Sequence, residues 1–338
     1  MKFLIAGLGS IGRRHLRNLI SLGERDILLY RSYHATLTDD ELTGFPVETD
    51  LEAALSHKPD AVIISNPTAL HLEVAIPAAL AGCHLLLEKP ISHHMERVEE
   101  LDEAVAHGGG QVLVGFQFRF HPGLEKTAEL VKQGVIGRPL SARAVYGEYL
   151  PGMHPWEDYR KSYSARQELG GGVILTLCHP IDYMRWILGD VACLWAFASP
   201  LNNFEIQVED TAEIGLRFLS GAVGSVNLNF NQRPRSQYLE IVGVEGTLRW
   251  NNDTGAVLIF QAQEPDSSDV KTVHWEKYSV PDGFERNDMF LSEMAHFLEV
   301  LRGEAEPVCS LYDGRKALEI ALAAHESSRI EQLIKLSE

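Results

Sequence analysis

The chain has 338 residues, of which 45% are hydrophobic and 23% are charged, the balance of an ordinary globular protein with room for two domains. Its 47 acidic and 30 basic side chains give a formal net charge of −17, which argues against nucleic acid and anionic membrane surfaces as main partners. No run of about 18 apolar residues predicts a membrane span, and the four widely spaced cysteines suggest neither a metal site nor a disulfide framework. We therefore expect a cytoplasmic protein with reduced thiols and no bound metal.

The first third of the sequence alternates apolar strand patterns with helical patterns. Strands are predicted at residues 2–6, 26–30, 61–65, 84–87 and 111–116. Helices are predicted between them, at residues 13–22, 51–55, 70–81 and 95–106. Asp50 is a suitable N-cap for the second helix. This order predicts a parallel sheet that is covered by helices on both faces.

The pattern changes after residue 120. A helix is predicted at 124–133, and segments of alternating polarity then predict strands at 142–149, 211–219, 223–231, 238–244 and 257–261. Residues 263–270 are expected to form an exposed loop, and two helices, 288–302 and 314–334, close the chain. The sequence therefore predicts an α/β protein with a parallel-sheet domain at 1–120 and an α+β domain at 121–338, the latter built on a large open and mostly antiparallel sheet.

A glycine pattern, GLGSIG at residues 7–12, joins the first strand to the first helix. In such a GxGxxG pattern Gly7 permits a tight turn, Gly9 lets the backbone approach a pyrophosphate, and Gly12 allows close contact between helix and strand. The helix N-terminus adds free N–H donors and the positive end of the helix dipole. The pattern predicts a dinucleotide site, and the alternative is a glycine-rich turn without a ligand.

A second signal is Glu88-Lys89-Pro90, at the C-terminal end of the predicted strand 84–87. Open parallel sheets bind their ligands outside this edge. Because Pro90 fixes the backbone beside it, Lys89 is a positioned cation and a candidate catalytic group. The alternative is a solvated lysine next to a loop proline.

Further motifs follow along the chain: NPTALH at 66–71, GFQFRFHP at 115–122, GGG at 170–172, HPIDYMRWILG at 179–189 and a closing helical region at 293–327. Together with GLGSIG and EKP, their order and spacing resemble the Gfo/Idh/MocA (glucose–fructose oxidoreductase / inositol dehydrogenase) family. The resemblance implies a Rossmann domain that carries NAD or NADP. It also implies an α+β domain whose open sheet covers the active site and forms oligomer contacts, in a homodimer or homotetramer.

The resemblance also implies roles for individual residues. Lys89 and His179 match the positions of the family's catalytic pair. The candidate cofactor-binding residues lie mainly in the motifs above: Gly7, Gly9, Ser10, Ile11, Gly12, Asn66, His71, Glu88, Lys89 and Gln117.

The apolar pattern at 179–188 suggests a helix, which places His179, Asp182 and Tyr183 on one face. An imidazole suits proton exchange with a substrate hydroxyl, and Lys89 can donate hydrogen bonds to the reacting oxygen. Asp182 can orient the imidazole or bind a sugar hydroxyl, and a structural ion pair or helix cap is the equal alternative. For His179 the alternative is a helix-terminal ring with a satisfied hydrogen bond.

One departure from the family concerns the residues before His179. Many members carry an aspartate three or four residues earlier, where this chain has Leu175 and Thr176. The hydroxyl of Thr176 can bind a sugar but cannot hold a negative charge. We therefore expect either a different substrate pattern or weaker dehydrogenase chemistry.

Further substrate contacts are expected from a polar aromatic segment before the three glycines, which contains Trp156, Tyr159, Arg160 and Tyr163. Aromatic faces with hydrogen-bonding edges suit sugar rings, whereas plain packing is the alternative. Arg119, near the end of a predicted strand, is expected to meet substrate or cofactor, and an interdomain salt bridge is the equal alternative.

The residues after the second strand bear on the choice of cofactor. NAD enzymes usually carry an acidic residue there for the ribose hydroxyls, but this chain has Arg31 and Ser32 and no acid before Asp39. Arginine and serine suit a 2′-phosphate, with help from Arg13 or Arg14. NADP is therefore the preferred cofactor, and NAD is the alternative. A further interpretation is that Arg31 is an exposed residue that does not contact the cofactor.

These expectations combine into an NAD(P)-dependent oxidoreductase that transfers hydride between nicotinamide and a hydroxyl or carbonyl group of a carbohydrate or sugar nucleotide. A non-catalytic NADP-binding sensor is one alternative, which Thr176 favours and the retained Lys89 and His179 oppose. A redox-neutral elimination or glycoside cleavage, in which hydride leaves and returns, is the other.

Overall fold

The structure is a computed structural model that describes residues 1–31, 40–262 and 274–336. The described chain forms two compact units. Unit 1 consists of Met1–Gln117, Glu168–Gly170 and Arg286–Leu318, and unit 2 consists of Phe118–Gln167, Gly171–Glu285 and the chain after Leu318. The domain boundary at residue 120 that the sequence suggests stays a prediction.

Within the described ranges, six parallel strands form the sheet of unit 1, in the order β3-β2-β1-β4-β5-β6. Their bounds are β1 Lys2–Ala6, β2 Asp26–Tyr30, β3 Val47–Glu48, β4 Ala61–Ile64, β5 His84–Glu88 and β6 Val112–Gly115. In register across the centre, Leu4 aligns with Leu28 on one side and Val62 on the other, and all three are buried. Apolar strands buried on both faces are typical of parallel sheets, so the predicted N-terminal sheet is confirmed.

The α-helices of the described chain, in order, are α1 Ser10–Ser21, α2 Leu51–Ser56, α3 His71–Leu80, α4 Val98–Gly108, α5 Pro122–Lys132, α6 Leu150–Met153, α7 Val173–Thr176, α8 His179–Leu188, α9 Arg286–Leu301 and α10 Leu311–Ile330. The Asp50 carboxylate accepts a hydrogen bond from the Ala53 N–H at 2.8 Å, which confirms the predicted N-cap of α2. The bounds of α8 are those that the apolar pattern at 179–188 suggested.

Helix α9 belongs to unit 1 although it lies about 170 residues after β6 in the chain. It packs against α1, where the ring of His15 meets Phe290 edge-on with 6.4 Å between the ring centroids. Phe290, Met294 and Phe297 of α9 are all buried. Because these side chains lie three or four residues apart, they form one apolar face, which α9 buries within unit 1.

Nine strands of the described chain form the sheet of unit 2, in the order β14-β13-β12-β11-β7-β10-β9-β8-β15. Neighbouring strands are antiparallel except for the parallel pair β7 and β10. The bounds are β7 Pro139–Gly147, β8 Val191–Ser199, β9 Thr211–Phe218, β10 Val223–Asn229, β11 Ser236–Gly243, β12 Gly246–Asn251, β13 Val257–Gln261, β14 Glu276–Tyr278 and β15 Ile334–Lys335. The predicted mostly antiparallel sheet, and with it the α/β fold class, is confirmed.

One face of this sheet carries the core of unit 2. Along β11 the side chains alternate between buried and half-buried, the pattern of an antiparallel strand with one wetter face. Trp250, Tyr183, Phe218 and Phe230 are among the largest fully buried side chains. Helix α8 packs against β7 on this side, which embeds its side chains in the core.

Two predictions for unit 2 were wrong in detail. The last helix, expected to reach residue 334, ends at Ile330, and Ile334 pairs with Leu194 as the edge strand β15. Strands β8 and β12 were not predicted. A strand with one exposed face is recognised by alternating apolar and polar residues. In β8 two exposed positions hold Trp195 and Phe197 in place of polar residues, so this alternation is missing. The predicted loop at 263–270 lies outside the described residues.

Candidate active site

The turn between β1 and α1 has the geometry that the glycine pattern predicts. Gly7 has a φ of +91°, and a Cβ atom on it would lie 2.4 Å from the backbone N of Asn66. A Cβ atom on Gly12 would lie 2.0 Å from the carbonyl oxygen of Gly7. Both positions therefore exclude a side chain. A Cβ atom on Gly9, in contrast, would meet no described protein atom within 4 Å, so a ligand can approach the backbone there.

The N-terminus of α1 fits an anionic dinucleotide. Gly9 is the N-cap, no side chain caps the helix, and the first turn contains no acidic residue. The backbone N–H groups of Ser10, Ile11 and Gly12 and the helix dipole are therefore suited to a pyrophosphate. Nearby, Asn66 Nδ2 donates to the carbonyl of Leu70 at 2.9 Å, whereas its buried Oδ1 accepts no hydrogen bond from the described residues. These features together fit the dinucleotide that the sequence predicts.

Arg31 directly follows β2, where the adenosine ribose of a bound dinucleotide is expected. Its side chain is 8% exposed, and its backbone N–H donates to the carbonyl of Glu48 at 3.1 Å. Ser32 lies outside the described residues. The structure thus places a basic residue, and not an acidic one, at the end of β2.

Arg13 and Arg14 point to other groups. Arg13 Nε donates to the carbonyl of Leu8 at 2.9 Å, and its Nη1 lies 3.9 Å from Glu41 Oε2. Arg14 donates to Asn287 Oδ1 at 3.0 Å. Neighbouring groups within unit 1 thus hold the side chains of both Arg13 and Arg14.

The Glu88-Lys89-Pro90 turn stands at the carboxyl edge of the sheet, where β5 ends. Nε2 of the buried His15 lies 2.8 Å from Glu88 Oε1, and the Lys89 N–H donates to Glu88 Oε2 at 3.3 Å. The Lys89–Pro90 peptide bond is cis. The Glu88 carboxylate thus joins α1 to the backbone of the turn that presents Lys89.

A second histidine holds the same turn from α3. His71 is buried, its Nδ1 lies 2.9 Å from the Pro90 carbonyl oxygen, and its Nε2 lies 3.0 Å from the Asn66 carbonyl oxygen. The ring therefore joins the loop after β4 to the turn after β5. Gln117, the last cofactor candidate in the chain, is buried in the 3₁₀ turn Gln117–Phe120 that follows β6.

His179 is the first residue of α8, and Pro180 follows it within the first turn. Its ring is 4% exposed and lies edge-on to Phe118, with 4.9 Å between the ring centroids. Tyr146 stacks on it at 6.3 Å. These aromatic neighbours fix the plane of the imidazole, which is what a group that exchanges protons in a defined direction requires.

Arg119 and Asp182 bind each other inside unit 2. Arg119 Nη2 donates to Asp182 Oδ1 at 2.7 Å, and Arg119 Nε donates to Oδ2 at 3.1 Å. The two side chains are 2% and 1% exposed, and the guanidinium also stacks over Trp186 at 5.7 Å. This geometry supports the ion-pair interpretation of both residues over direct substrate contact.

The aromatic segment before the three glycines consists of residues with different surroundings. Trp156 is 54% exposed. The Tyr159 hydroxyl donates to the carbonyl of Phe204 at 3.1 Å, and Tyr163 is half-buried. Arg160 donates to Asp158 Oδ1 at 2.9 Å and to Glu205 at 2.8 Å.

Thr176 and Tyr183 lie in the interior of unit 2. Thr176 ends α7 and is buried, directly before the turn that leads to His179. Tyr183 is fully buried, its ring lies 6.0 Å from Trp250, and burial raises the pKa of its hydroxyl. We therefore assign the ring of Tyr183 a packing role in the core.

Two ionisable residues beside the Lys89 turn were missed by the sequence analysis. His15 was not singled out in α1, and Glu293 lies within the apolar face of α9. The available signal was the position of Glu293, four residues from Met289 and Phe297, since an acidic residue in the middle of an apolar face is unusual unless it has a role.

Family models match both parts of the chain. Residues 1–116 match the model described as "Oxidoreductase family, NAD-binding Rossmann fold", and residues 124–249 match the "GFO/IDH/MocA C-terminal domain". The chain belongs to the Gfo/Idh/MocA family of oxidoreductases. The resemblance that the motifs suggested is thus confirmed, and this family member is an NAD(P)-dependent dehydrogenase with an NAD-binding Rossmann domain.

Three similar proteins show the extent of the likeness. A myo-inositol 2-dehydrogenase of Thermotoga maritima is 28% identical, over 100% of this chain and 99% of the relative. A levoglucosan dehydrogenase solved with NADH and levoglucosan has a TM-score of 0.88 at 22% identity, over 100% of both chains. The WlbA dehydrogenase of Bordetella pertussis, solved with NADH and UDP-GlcNAcA, has a TM-score of 0.81 at 23% identity, over 100% of this chain and 99% of that one. The likeness to both solved structures shows the shared fold. In the part of this chain that the structure describes, no helix has the length and apolarity to cross a membrane.

Proposed function

We propose that this family member transfers hydride between NADP(H) and a hydroxyl or carbonyl group of a carbohydrate or sugar nucleotide, with Lys89 and His179 as the catalytic pair. The observation that carries this proposal is the position of Lys89. It follows β5 at the carboxyl edge of a parallel sheet, on a turn that His15 and His71 hold from two helices. The two buried histidines contact Glu88 and Pro90, the residues on either side of Lys89, and so hold the turn that carries it.

The chemistry divides between the cofactor and the chain. The nicotinamide accepts or supplies the hydride when it is bound. In the oxidation, the imidazole of His179 takes the hydroxyl proton while the carbinol carbon loses its hydride, and the reverse transfers occur in the reduction. The Lys89 ammonium donates a hydrogen bond to the reacting oxygen and stabilises the charge that develops on it.

The preference for NADP rests on Arg31. Arg31 directly follows β2, in the position where an acidic residue would accept the ribose hydroxyls of NAD and would repel a 2′-phosphate. An arginine there can bind the phosphate with charge-assisted hydrogen bonds. We expect R31A to weaken NADPH binding by about 1.5–3 kcal/mol and NADH binding much less. Equal losses for both cofactors would contradict this preference.

The proposed substrate class comes from the relatives and from the aromatic segment. The similar proteins act on or bind a cyclic polyol, an anhydrosugar and a nucleotide sugar, which share a ring with several hydroxyl groups. Trp156, Tyr159 and Tyr163 offer faces and hydrogen-bonding edges of the kind that sugar rings contact. Buried Thr176, three residues before His179 in the chain, can add a neutral hydroxyl.

We also propose that the protein is a cytoplasmic homodimer or homotetramer. On β8, the side chains of Trp195 and Phe197 are 45% and 66% exposed and lie edge-on to each other. Adjacent exposed aromatic residues are typical of protein interfaces. The net charge of −17 disfavours nucleic acid and anionic membranes as partners.

The first experiment is a titration of the purified protein with NADPH and NADH, followed by a screen of sugars and nucleotide sugars at the nicotinamide absorbance band. We expect tight NADPH binding and substrate-dependent oxidation or reduction. K89A and H179A should lower kcat by about 10²–10⁴-fold. The matched controls K132A and H107A remove an exposed lysine and an exposed histidine from other helices of the protein and should leave turnover unchanged.

The other outcomes separate the alternative functions. Tight cofactor binding without turnover in either direction would favour a sensor. Product formation without net cofactor oxidation or reduction would favour the redox-neutral reactions. A failure to bind either nicotinamide cofactor would refute the proposed function altogether.

A further inference from the structure

Three ionisable side chains meet next to the Lys89 turn, within unit 1. His15 comes from α1, Glu88 from the end of β5 and Glu293 from α9, and one side-chain nitrogen or oxygen atom of each lies within 4.8 Å of the other two. His15 and Glu293 are fully buried, and Glu88 is nearly so. Two carboxyl groups this close together and away from water cannot both stay ionised without a large electrostatic cost.

The two carboxyl groups differ in their hydrogen-bond partners. Glu88 has His15 Nε2 at 2.8 Å and the Lys89 N–H at 3.3 Å. Glu293 has neither, because both of its buried carboxyl oxygens are without a hydrogen-bond donor among the described residues. Burial, and then the charge of Glu88, raise the pKa of Glu293 well above its usual value. A carboxyl group that nothing stabilises as an anion keeps its proton.

We propose that Glu293 is a positioning residue that carries a proton at neutral pH and so leaves Glu88 as the single charged carboxylate beside the Lys89 turn. With one charge in the cluster, the Glu88 carboxylate is free to accept from His15 on one side and from the Lys89 N–H on the other. A second charge on Glu293 would repel Glu88 and weaken the contact that joins the turn to α1. The link to catalysis rests on the proposed role of Lys89, whereas the protonation of Glu293 does not.

The other charged groups around the cluster are basic. Arg14 of α1 and Arg286 of α9 lie over the Phe290 ring, at 4.6 and 5.9 Å from its centroid. Burial and the charge of Arg286 lower the pKa of Arg14, and the charge of Glu88 offsets part of this shift. Lys89 follows Glu88 in the chain, whereas the ring of His71, which faces the turn from α3, is neutral because burial lowers its pKa to about 4. Arg14, Arg286 and Lys89 balance the charge of Glu88 and oppose the entry of a cation, and no described residue donates to Glu293.

The proposal gives a definite sign to the pH dependence of stability. A carboxyl group whose pKa is raised by folding contributes stability that is fully present below the pKa of the unfolded chain, about 4.3, and is lost as the pH rises. E293Q keeps the size of the side chain and removes this titration. We therefore expect the Tm of E293Q relative to wild type to increase between pH 5 and pH 8. The control E52Q removes one charge from an exposed position in the first turn of α2, where Glu52 forms no ion pair in the described structure, and should shift Tm by an amount that stays constant between pH 5 and pH 8.

Two further readouts distinguish positioning from plain packing. Infrared difference spectra at pH 7 should contain the C=O stretch of a protonated carboxylic acid in wild type and in E52Q but not in E293Q. In turnover assays, E293A should lower kcat with little change in KM, and E293Q should restore kcat. Wild type should lose activity at alkaline pH, where Glu293 ionises, and E293Q should not. If E293A does not fold, E293Q and the infrared comparison still decide the matter.

Three results would overturn the proposal. They are a missing protonated-acid band in wild type, parallel pH profiles of Tm for wild type and E293Q, and a stoichiometric divalent cation that survives dialysis against a chelator. The infrared and stability measurements need no substrate. A failure of the proposed enzymatic function would therefore leave them interpretable, and their failure would leave that function standing.

Discussion

The Arg119–Asp182 pair offers a sharp test of how unit 2 is stabilised. D182N keeps the shape of the side chain but removes its charge and replaces one acceptor oxygen with an NH₂ group that faces the guanidinium. The pair is bidentate, with 2.7 and 3.1 Å between donor and acceptor atoms, and its side chains are 2% and 1% exposed, so water cannot replace the lost acceptor. Removal of one partner from a buried pair costs about 3–5 kcal/mol. At about 2–4 °C per kcal/mol for a unit of this size, Tm should fall by about 6–20 °C.

The assay is thermal and urea unfolding followed by circular dichroism, with D190N as the matched control. Asp190 binds Arg185 at 2.7 Å, but its side chain is 41% exposed, so D190N should cost no more than about 1 kcal/mol. The double variant R119M/D182L should recover much of the loss, because a buried pair replaced by apolar groups no longer leaves a charge without its partner. If D182N unfolds no more easily than D190N, the pair does not stabilise unit 2 and a substrate role for Asp182 gains support.

Three further predictions concern the cofactor turn, a buried histidine and a buried thiol. G9A should keep the wild-type Tm, because its Cβ meets no described protein atom within 4 Å, but it should lose cofactor affinity, because the Cβ occupies the space where a pyrophosphate approaches the backbone. G12A should lower Tm as well, because its Cβ would lie 2.0 Å from a backbone oxygen. Equal Tm values for the two variants in differential scanning calorimetry would refute this. Burial lowers the pKa of His121 from 6.5 to about 4. The stability that its neutral ring contributes is therefore complete above pH 6.5, and about 3 kcal/mol of it is lost as the pH falls to 4. In urea titrations across this range, the free energy of unfolding should fall less steeply for H121N, whose side chain can still cap α5, than for wild type. Burial raises the pKa of Cys83 to about 11. When the folded protein is treated with iodoacetamide at pH 8, mass spectrometry should therefore find the half-buried Cys193 alkylated while Cys83 is still unmodified.

Local signals explain why much of the fold could be predicted from the sequence. Strands β1, β2 and β13 have the predicted bounds, because each is a compact and mainly apolar run of five residues. The GxGxxG turn and the end of β5 were found for the same reason, since their chemistry lies in consecutive residues. Edge strand β15 was missed because helical periodicity continues through residues that the structure places beside β8.

The pairings inside the candidate site could not be predicted, because they depend on contacts between distant parts of the chain. His15 and Glu88 are 73 residues apart, and Arg119 and Asp182 are 63 residues apart. The sequence left a structural ion pair and a substrate contact equally open for Asp182, and only the folded backbone shows which side chain its carboxylate faces. For Glu293 the sequence showed an acidic residue in an apolar face, but not that a second carboxyl group would lie next to it.

The return of Arg286–Leu318 to unit 1 has a consequence for biosynthesis. All six strands of its sheet are available once residue 115 has been made, but α9, which covers α1 and His15, ends only at Leu301. At about 5–20 residues per second, the ribosome needs about 10–40 s to make the intervening chain. During that time the apolar side of α1 is exposed in the nascent chain, which is the period when a chaperone can bind. A fragment cut after residue 117 would remain in that uncovered state permanently.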